Sequence, residues 1–384
     1  MTNPNAPAAL DPAALDVVAL TQELVAIESE SQHSNAAVSD RIAAVMRAIG
    51  FQVERLAYDD NGVEKVNIVG KLGQGAGGLG LFGHSDVVPG GDGWQPYVPE
   101  IRDGRLYGRG SCDMKGPVAA MLVAAARVDA AALKHPVFIA VTSDEEMGHT
   151  GAQIICRDSA LLGAGWPTYC VVGEPTELVP VYAHKGGYRI NVTAHGVAAH
   201  TSTDRGVSAN FLIAPFLAEM AELAQLFKQE PRFMNQEFDP PTNGFNMVLD
   251  DGGAKPNVTA AKTVCTLALR AMPDANIEEA VALIEARARA YGFDVESHGF
   301  TPFYVAPDAD VVRLACRVTG HDRAQAVPYG TEAVWYQAYA QTLVLGPGNI
   351  AQAHTRGEWI DLDQLTRAVD VYADFIRAVC LEED

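Results

Sequence analysis

No stretch of the 384 residues approaches the ~20 consecutive apolar residues that a bilayer-spanning helix needs. The N-terminus, Met-Thr-Asn-Pro-Asn-Ala-Pro, places no basic segment before an apolar core. A signal peptide is therefore not expected, and the chain reads as cytoplasmic with no membrane partner. Cysteine is scarce. The six (112, 156, 170, 265, 316 and 380) are scattered without paired spacing, so they read as reduced, mostly buried small hydrophobes. Basic residues are in deficit, 28 Lys and Arg against 48 Asp and Glu, for a net charge of −20. That balance argues against nucleic acid, which rewards basic patches. It favours solubility and mildly concentrates cations, although a solvated acidic surface is the plainer reading. Several catalytic signatures are missing as well: His-Glu-x-x-His, Gly-x-Ser-x-Gly, the Walker Gly-Lys-Ser/Thr, and a Gly-x-Gly-x-x-Gly after a first strand. There is no internal repeat. The Gly-rich tract 73–80 is a flexible turn and not a phosphate loop, because no strand–glycine–helix order surrounds it.

What is present suffices for two domains with sizeable cores. Residues 1–12, rich in Pro, Ala and Asn, read as a loose end. Helices are expected at 15–27 and 37–49, the second stopped by Gly50, then strands at 51–55, 66–71 and 79–84. Residues 88–109 read as one long loop rich in Gly and Pro. A helix at 115–128, a buried strand at 136–142, a helix at 150–156 and strands at 169–172 and 179–183 follow. This alternation predicts a layered α/β domain with a largely parallel sheet. From 188 the pattern changes to strand, long amphipathic helix, two strands, helix and strand, the split βαβ order. Helix–strand alternation then resumes at 308–318, 342–345 and 365–379. The fold expected is α/β: a catalytic domain of helices on a central, largely parallel sheet (1–183 and 298–384), interrupted by an inserted α+β ferredoxin-like domain (184–297).

The chemistry gathers at predicted strand ends, where open α/β sheets place ligands. The apolar run Leu79-Gly-Leu-Phe82 delivers His84 and Asp86, which on a strand would share a face. Asp113 ends a Gly-dense run before a helix, where capping is the structural alternative to a carboxylate that bridges two metals. Cys112 beside it is a possible soft ligand. Asp144, Glu145 and Glu146 follow a buried strand and repel one another unless cations neutralise them. Glu174 occupies the same topological position in Gly-Glu-Pro-Thr, and His354 follows the strand at 343–345. Two His and several carboxylates form a ligand set for one or two borderline metals such as zinc. One glutamate can bind metal while its neighbour acts as base. His200, in Ala-His-Thr-Ser, is either an ordinary loop residue or a donor to a developing oxyanion. His149, His184, His195, His298 and His321 show no partner pattern and read as structural.

In this order the motifs Gly-His84-Ser-Asp86-Val-Val-Pro, Gly-Arg-Gly-Ser-Cys-Asp113-Met-Lys-Gly, Thr-Ser-Asp-Glu145-Glu146, Gly-Glu174-Pro-Thr and Gly-Pro-Gly with His354 resemble the M20 family of co-catalytic zinc aminoacylases and peptidases. The resemblance covers essentially the whole chain. It implies two Zn2+ (Co2+ a substitute) bridged by Asp113, one completed by His84 and Glu174, the other by Glu146 and His354. It further implies that Asp86 orients His84, that Glu145 is general base and then proton donor, and that His200 reaches the active site of a partner subunit. Asn257, Arg270, Gly330 and Thr331 match substrate-contacting positions, and a cis bond is implied at Asp113-Met114. The implied partners are a small-molecule N-acyl amino acid and a second copy of the chain, met through the inserted domain. The stretches 181–186, 329–333 and 343–354 most resemble the branch that acts on N2-acetyl-L-ornithine. The other readings are succinyl-diaminopimelate, acetylcitrulline or a dipeptide as substrate, or a non-catalytic dimeric metal-binding protein. The departures, Ser85 for Thr, Cys112 for Ala and Ala-His-Thr for Gly-His-Ser, remove no ligand or base.

Overall fold

The computed structural model describes residues 11–381. The loose end expected over residues 1–12 falls outside the described residues up to residue 10; from there Asp11 caps the 3-10 turn Pro12–Ala14. Two compact units make up the chain. The first comprises residues up to Tyr182, Val305–Gln325 and the chain from Thr331 onward; the second comprises Ala183–Tyr304 and Ala326–Gly330.

In the first unit, strands of unbroken apolar sequence lie at the centre of a sheet. Leu79–His84 and Val137–Thr142 are buried along their whole length, as strands with both faces covered must be. The sheet order is Gln52–Asp60, Val63–Leu72, Val137–Thr142, Leu79–His84, Tyr169–Val172, Gln341–Val344 and Val181–His184. The central pairings are parallel and the outer ones antiparallel. The helix Lys115–Ala126 carries no polar face and is buried from Lys115 to Ala125, packed against Val17–Val25 and Leu362–Ile376. The expected largely parallel α/β sheet is therefore present.

In the second unit, Gly187–His195, Ala209–Gln229, Asn246–Asp250, Lys262–Leu269, Ile277–Ala290 and Asp294–Phe300 follow one another as β-α-β-β-α-β. The four strands pair antiparallel, with Gly187–His195 and Lys262–Leu269 inside and Asn246–Asp250 and Asp294–Phe300 at the edges. Both helices pack on one face, where Ile190, Val192, Phe216, Met220, Leu267 and Ile284 form the core.

Two local expectations are corrected. The first strand does not stop at residue 55 but runs to Asp60 and turns back through Asn61-Gly62, both at positive φ, into Val63–Leu72. Residues 88–109 are not all loop: Glu100–Arg102 and Arg105–Tyr107 form a hairpin that continues onto Trp359–Asp361. By length and mean composition the helix Ala209–Gln229 is apolar enough to cross a membrane. Glu219 and Glu222 interrupt its apolar run, and its Ala209–Ile213–Phe216–Met220–Leu223–Phe227 face belongs to the core of the unit.

Candidate metal centre

Sheet register brings the first ligands together. His84 is the last residue of its strand and lies opposite Thr142, and Phe82 lies opposite Val172, so Glu145, Glu146 and Glu174 leave the same edge as His84. Gly83 allows this edge to lie close to the next segment, because a Cβ there would fall 2.3 Å from Met114 Cε. The Asp113-Met114 bond is cis, as the resemblance implied. His354 arrives on the loop after Gln341–Val344 with a left-handed φ of 58°.

Asp113 stands between two histidines. Its Oδ1 is 3.1 Å from His84 Nε2 and its Oδ2 is 3.3 Å from His354 Nε2. Glu174 Oε1 lies 3.5 Å from the same His84 nitrogen, and Glu146 Oε1 lies 2.9 Å from His354 Nε2. Three overlapping sets result, His84–Asp113–Glu174, Asp113–Glu146–His354 and His84–Glu145–Glu146, with the ligand atoms of each within 4.8 Å of one another; the first two share Asp113. His84 Nδ1 is 2.9 Å from the main-chain carbonyl of Asp86, an acceptor only, which assigns the ring proton to Nδ1. Nε2 then turns a lone pair toward two carboxylate oxygens. Glu174 Oε1 is buried and accepts no hydrogen bond. Converging lone pairs around a buried, unsatisfied oxygen are the donor set of a cation, and the imidazole and carboxylate mixture suits a borderline divalent metal.

Among the protein groups themselves the conflict appears as displaced pKa values. Burial works against the His84 cation, yet Asp113, Asp86 and Glu174 hold its pKa well above the ordinary value. Burial and the Asp113 charge push Glu174 well above the carboxylate range and Glu146 up to about 7. Asp113 is itself buried, but His354 and His84 hold it low. Asp113 and Glu146 lift His354 to about 10.

The residues around these sets refine the sequence reading. Asp86 acts on His84 through its carbonyl, its carboxylate Oδ1 being 3.6 Å from Nδ1. The strand ends at His84, so Asp86 is not on its face. The Asp86 carboxylate accepts instead from Ser31 Oγ (2.7 Å) and from the backbone N–H of Glu145 and Glu146 (3.2 and 3.4 Å), tying the acidic turn to the first strand end. Cys112 is a buried thiol 3.5 Å from the Asn349 carbonyl, burial pushes its pKa far up, and it belongs to none of the candidate ligand sets.

Several residues at the site were missed from sequence. His149, read as structural, lies with Nε2 3.2 Å from Glu145 Oε1. Burial opposes charging its ring, but Glu145 and then Glu332 raise its pKa. The one available signal was the spacing of four from Glu145. Asp144 is held by the buried Lys65 Nζ (2.8 Å) and by the Tyr58 hydroxyl. Glu358 accepts four hydrogen bonds from the segment that leads to Asp113. Glu332, buried with a hydrogen bond from Thr142 Oγ1 (2.6 Å), is pushed up to about 7 by burial.

Of the expected substrate residues, Thr331 belongs to the first unit, where it is buried and its Oγ1 accepts from Ala333 N. His200, Asn257, Arg270 and Gly330 belong to the second. There His200 is exposed, its Nδ1 2.7 Å from Ser202 Oγ, and Thr201 N donates to the Asn257 carbonyl, so those two positions adjoin. Arg270 is exposed at the end of Lys262–Leu269, and Gly330 lies near the Lys185 carbonyl and the Phe300 ring.

An α/β sheet edge bearing two candidate cation-ligand sets that share one carboxylate, with a further glutamate beside them, fits a metal-dependent hydrolase. Residues 80–378 match Peptidase family M20/M25/M40. The chain is 34% identical over 373 residues to acetylornithine deacetylase of Myxococcus xanthus, covering 93% of this chain and 96% of that protein. The acetylornithine deacetylase of Proteus mirabilis is 32% identical, with coverage of 94% and 95%. A metallo-carboxypeptidase of the M20 family from Sulfolobus solfataricus shares the fold with a TM-score of 0.74 at 16% identity, over 94% of this chain and 98% of that one. The chain belongs to peptidase family M20, a family of metal-dependent amidohydrolases and peptidases.

Proposed function

We propose that the protein hydrolyses the amide bond of an N-acyl amino acid, N2-acetyl-L-ornithine in the first place, releasing L-ornithine and acetate. The observation that carries this reading is the shared Asp113 between two ligand sets with Glu145 beside them, together with relatives named acetylornithine deacetylase. His84, Asp113 and Glu174 would hold one Zn2+ or Co2+, and Asp113, Glu146 and His354 a second. Bound there, the cations supply Lewis acidity, lowering the pKa of water and polarising the amide carbonyl. Glu145, which lies outside the two sets that share Asp113, takes the proton from the attacking water and returns it to the leaving amine. Asp86 holds His84 in one tautomer through its carbonyl and fixes the acidic turn through its carboxylate. Arg270, Asn257 and the pair Gly330–Thr331 are the residues proposed for the substrate carboxylate and backbone, and His200 of the partner subunit is the proposed donor to the developing oxyanion.

In this reading the domain at 1–183 and 298–384 carries the chemistry, and that at 184–297 serves as lid and dimer contact. The exposed edge strand Asn246–Asp250, with Val248 58% exposed, supports a second copy as partner. A panel of acetylornithine, acetylcitrulline, succinyl-diaminopimelate and dipeptides tests the substrate by kcat/KM. Acetylornithine is expected to lead. A different leader would replace the substrate and keep the chemistry, and no turnover on any member would overturn the reading.

A further inference from the structure

The assigned chemistry uses Glu145 and leaves its neighbour unexplained. His149 stands at the N-terminus of the helix Thr150–Asp158 with a left-handed φ of 64°, and its side chain is 9% exposed. A left-handed φ is uncommon for any residue but glycine, although histidine adopts it more readily than most, and a buried imidazole needs polar partners. Its ring is engaged at both ends. Nε2 lies 3.2 Å from Glu145 Oε1, and Trp335 Nε1 donates to Nδ1 at 3.3 Å. An indole N–H can only donate, so the nitrogen that faces it carries a lone pair. The ring proton is thereby assigned to Nε2, which points at the carboxylate of Glu145. The charged and titratable groups that face this ring are Glu145, Glu332 and His84.

We propose that His149, locked in its Nε2–H form by Trp335, is a positioning residue that fixes the carboxylate of Glu145 in its working rotamer. The proposal rests on the reading of Glu145 as the base. Glutamate has three rotatable side-chain bonds, and Glu145 has its backbone held by Asp86 and one carboxylate oxygen by His149. With Oε1 engaged, Oε2 is the oxygen left to receive a proton, and the hydrogen bond to Oε1 persists whether or not Oε2 is protonated. One residue can thus hold the base through both halves of the reaction without taking its proton. Trp335 sits on the helix Ala333–Tyr336, directly after Thr331 and Glu332. Glu332 contacts Thr142, and Trp335 contacts His149, so this one short segment grips both ends of the turn that carries Glu145.

The test compares His149→Ala, His149→Gln and Trp335→Phe, each alone and combined with Glu145→Gln, in zinc-reconstituted protein. The readouts are kcat and KM on N2-acetyl-L-ornithine, and zinc bound per chain. Ala and Gln both place a Cβ at the same positive φ, so their backbone cost cancels and the difference between them reports the donor. His149→Ala is expected to lower kcat about 10- to 100-fold, the usual loss when the partner that orients an active-site group is removed. KM and zinc content should stay near wild type. His149→Gln should recover most of the loss and Trp335→Phe should fall between. None should lower further the residual rate of Glu145→Gln. If His149→Ala does not fold, Trp335→Phe carries the test, since it leaves the strained backbone untouched. Wild-type kcat in His149→Ala, equal losses in Ala and Gln, or an undiminished loss in the Glu145→Gln background would each overturn the proposal. Full turnover in Glu145→Gln alone would remove the base and its positioning residue together; an inactive Glu145→Gln with a fully active His149→Ala would remove the positioning role only.

Discussion

Glu358 offers a sharp test of how the proposed metal ligands are held. It is fully buried, four residues after His354, and its carboxylate is the acceptor for a segment 245 or more residues away. Oε2 accepts from Arg109 Nη1 (2.7 Å) and Gly110 N (3.1 Å), and Oε1 accepts from Cys112 N (2.9 Å) and Asp113 N (3.0 Å). Arg109 is 2% exposed; its other partners are the Pro89 carbonyl and the Trp94 ring. Removing the carboxylate leaves a buried cation unpaired, about 3–5 kcal/mol. It also strands three buried N–H groups at about 1–3 kcal/mol each. For Glu358→Ala the total rivals the whole stability of a domain, about 5–15 kcal/mol, and no folded protein is expected. Glu358→Gln is the useful variant. Its carbonyl can still serve Cys112 and Asp113, while its NH2 meets two donors and loses the Arg109 pair, about 3–5 kcal/mol. At about 2–4 °C per kcal/mol, the thermal midpoint should fall by roughly 10 °C. Because the backbone N–H of Asp113 is held by this carboxylate, zinc affinity should also weaken about 10- to 100-fold. Calorimetry of the metal-free protein and a competitive zinc titration measure the two. A midpoint within about 2 °C of wild type with unchanged zinc affinity would refute the argument.

Two further outcomes follow from other parts of the molecule. Glu332 has a folded pKa of about 7, raised from 4.5 by burial. Its contribution to stability is therefore full below the unfolded value and is lost as pH rises through about 7, a change on the order of 3 kcal/mol. Glu332→Gln in metal-free protein should match wild type in acid and gain on it between pH 4.5 and about 7; a difference that does not vary with pH would contradict the assignment. Val248 lies on the exposed edge strand Asn246–Asp250, proposed above as the contact with a second copy; Val248→Lys should then lower the sedimentation coefficient from that of a dimer to that of a monomer without lowering the thermal midpoint, and an unchanged coefficient would remove this edge as the contact.

Much of the candidate ligand set was legible because it obeys a local rule. His84, Glu145, Glu146 and Glu174 each follow a short apolar strand, and parallel strands in register place their carboxyl ends on one edge. The split βαβ order was legible for a similar reason, since strand and helix periodicities switch cleanly after residue 187. The groups that support the site follow no such rule. Glu358 meets Arg109 from 249 residues away. His149 gains its meaning only when Trp335 folds against it, 186 residues later. Lys65 lies in a strand that reads as ordinary, yet its ammonium is buried on Asp144. The hairpin at Asn61-Gly62 is a different kind of omission: the dipeptide is a strong turn signal, and the charged residues flanking it obscured the strands on either side.

Reconstitution is the most direct measurement of the central claim. Metal-free protein is titrated with zinc while acetate release from N2-acetyl-L-ornithine is followed. Two shared ligand sets predict no turnover without metal, and activity that rises to a plateau at about two zinc per chain. Full turnover by the metal-free protein, or zinc bound at that ratio with no hydrolysis of any acyl amino acid, would contradict it.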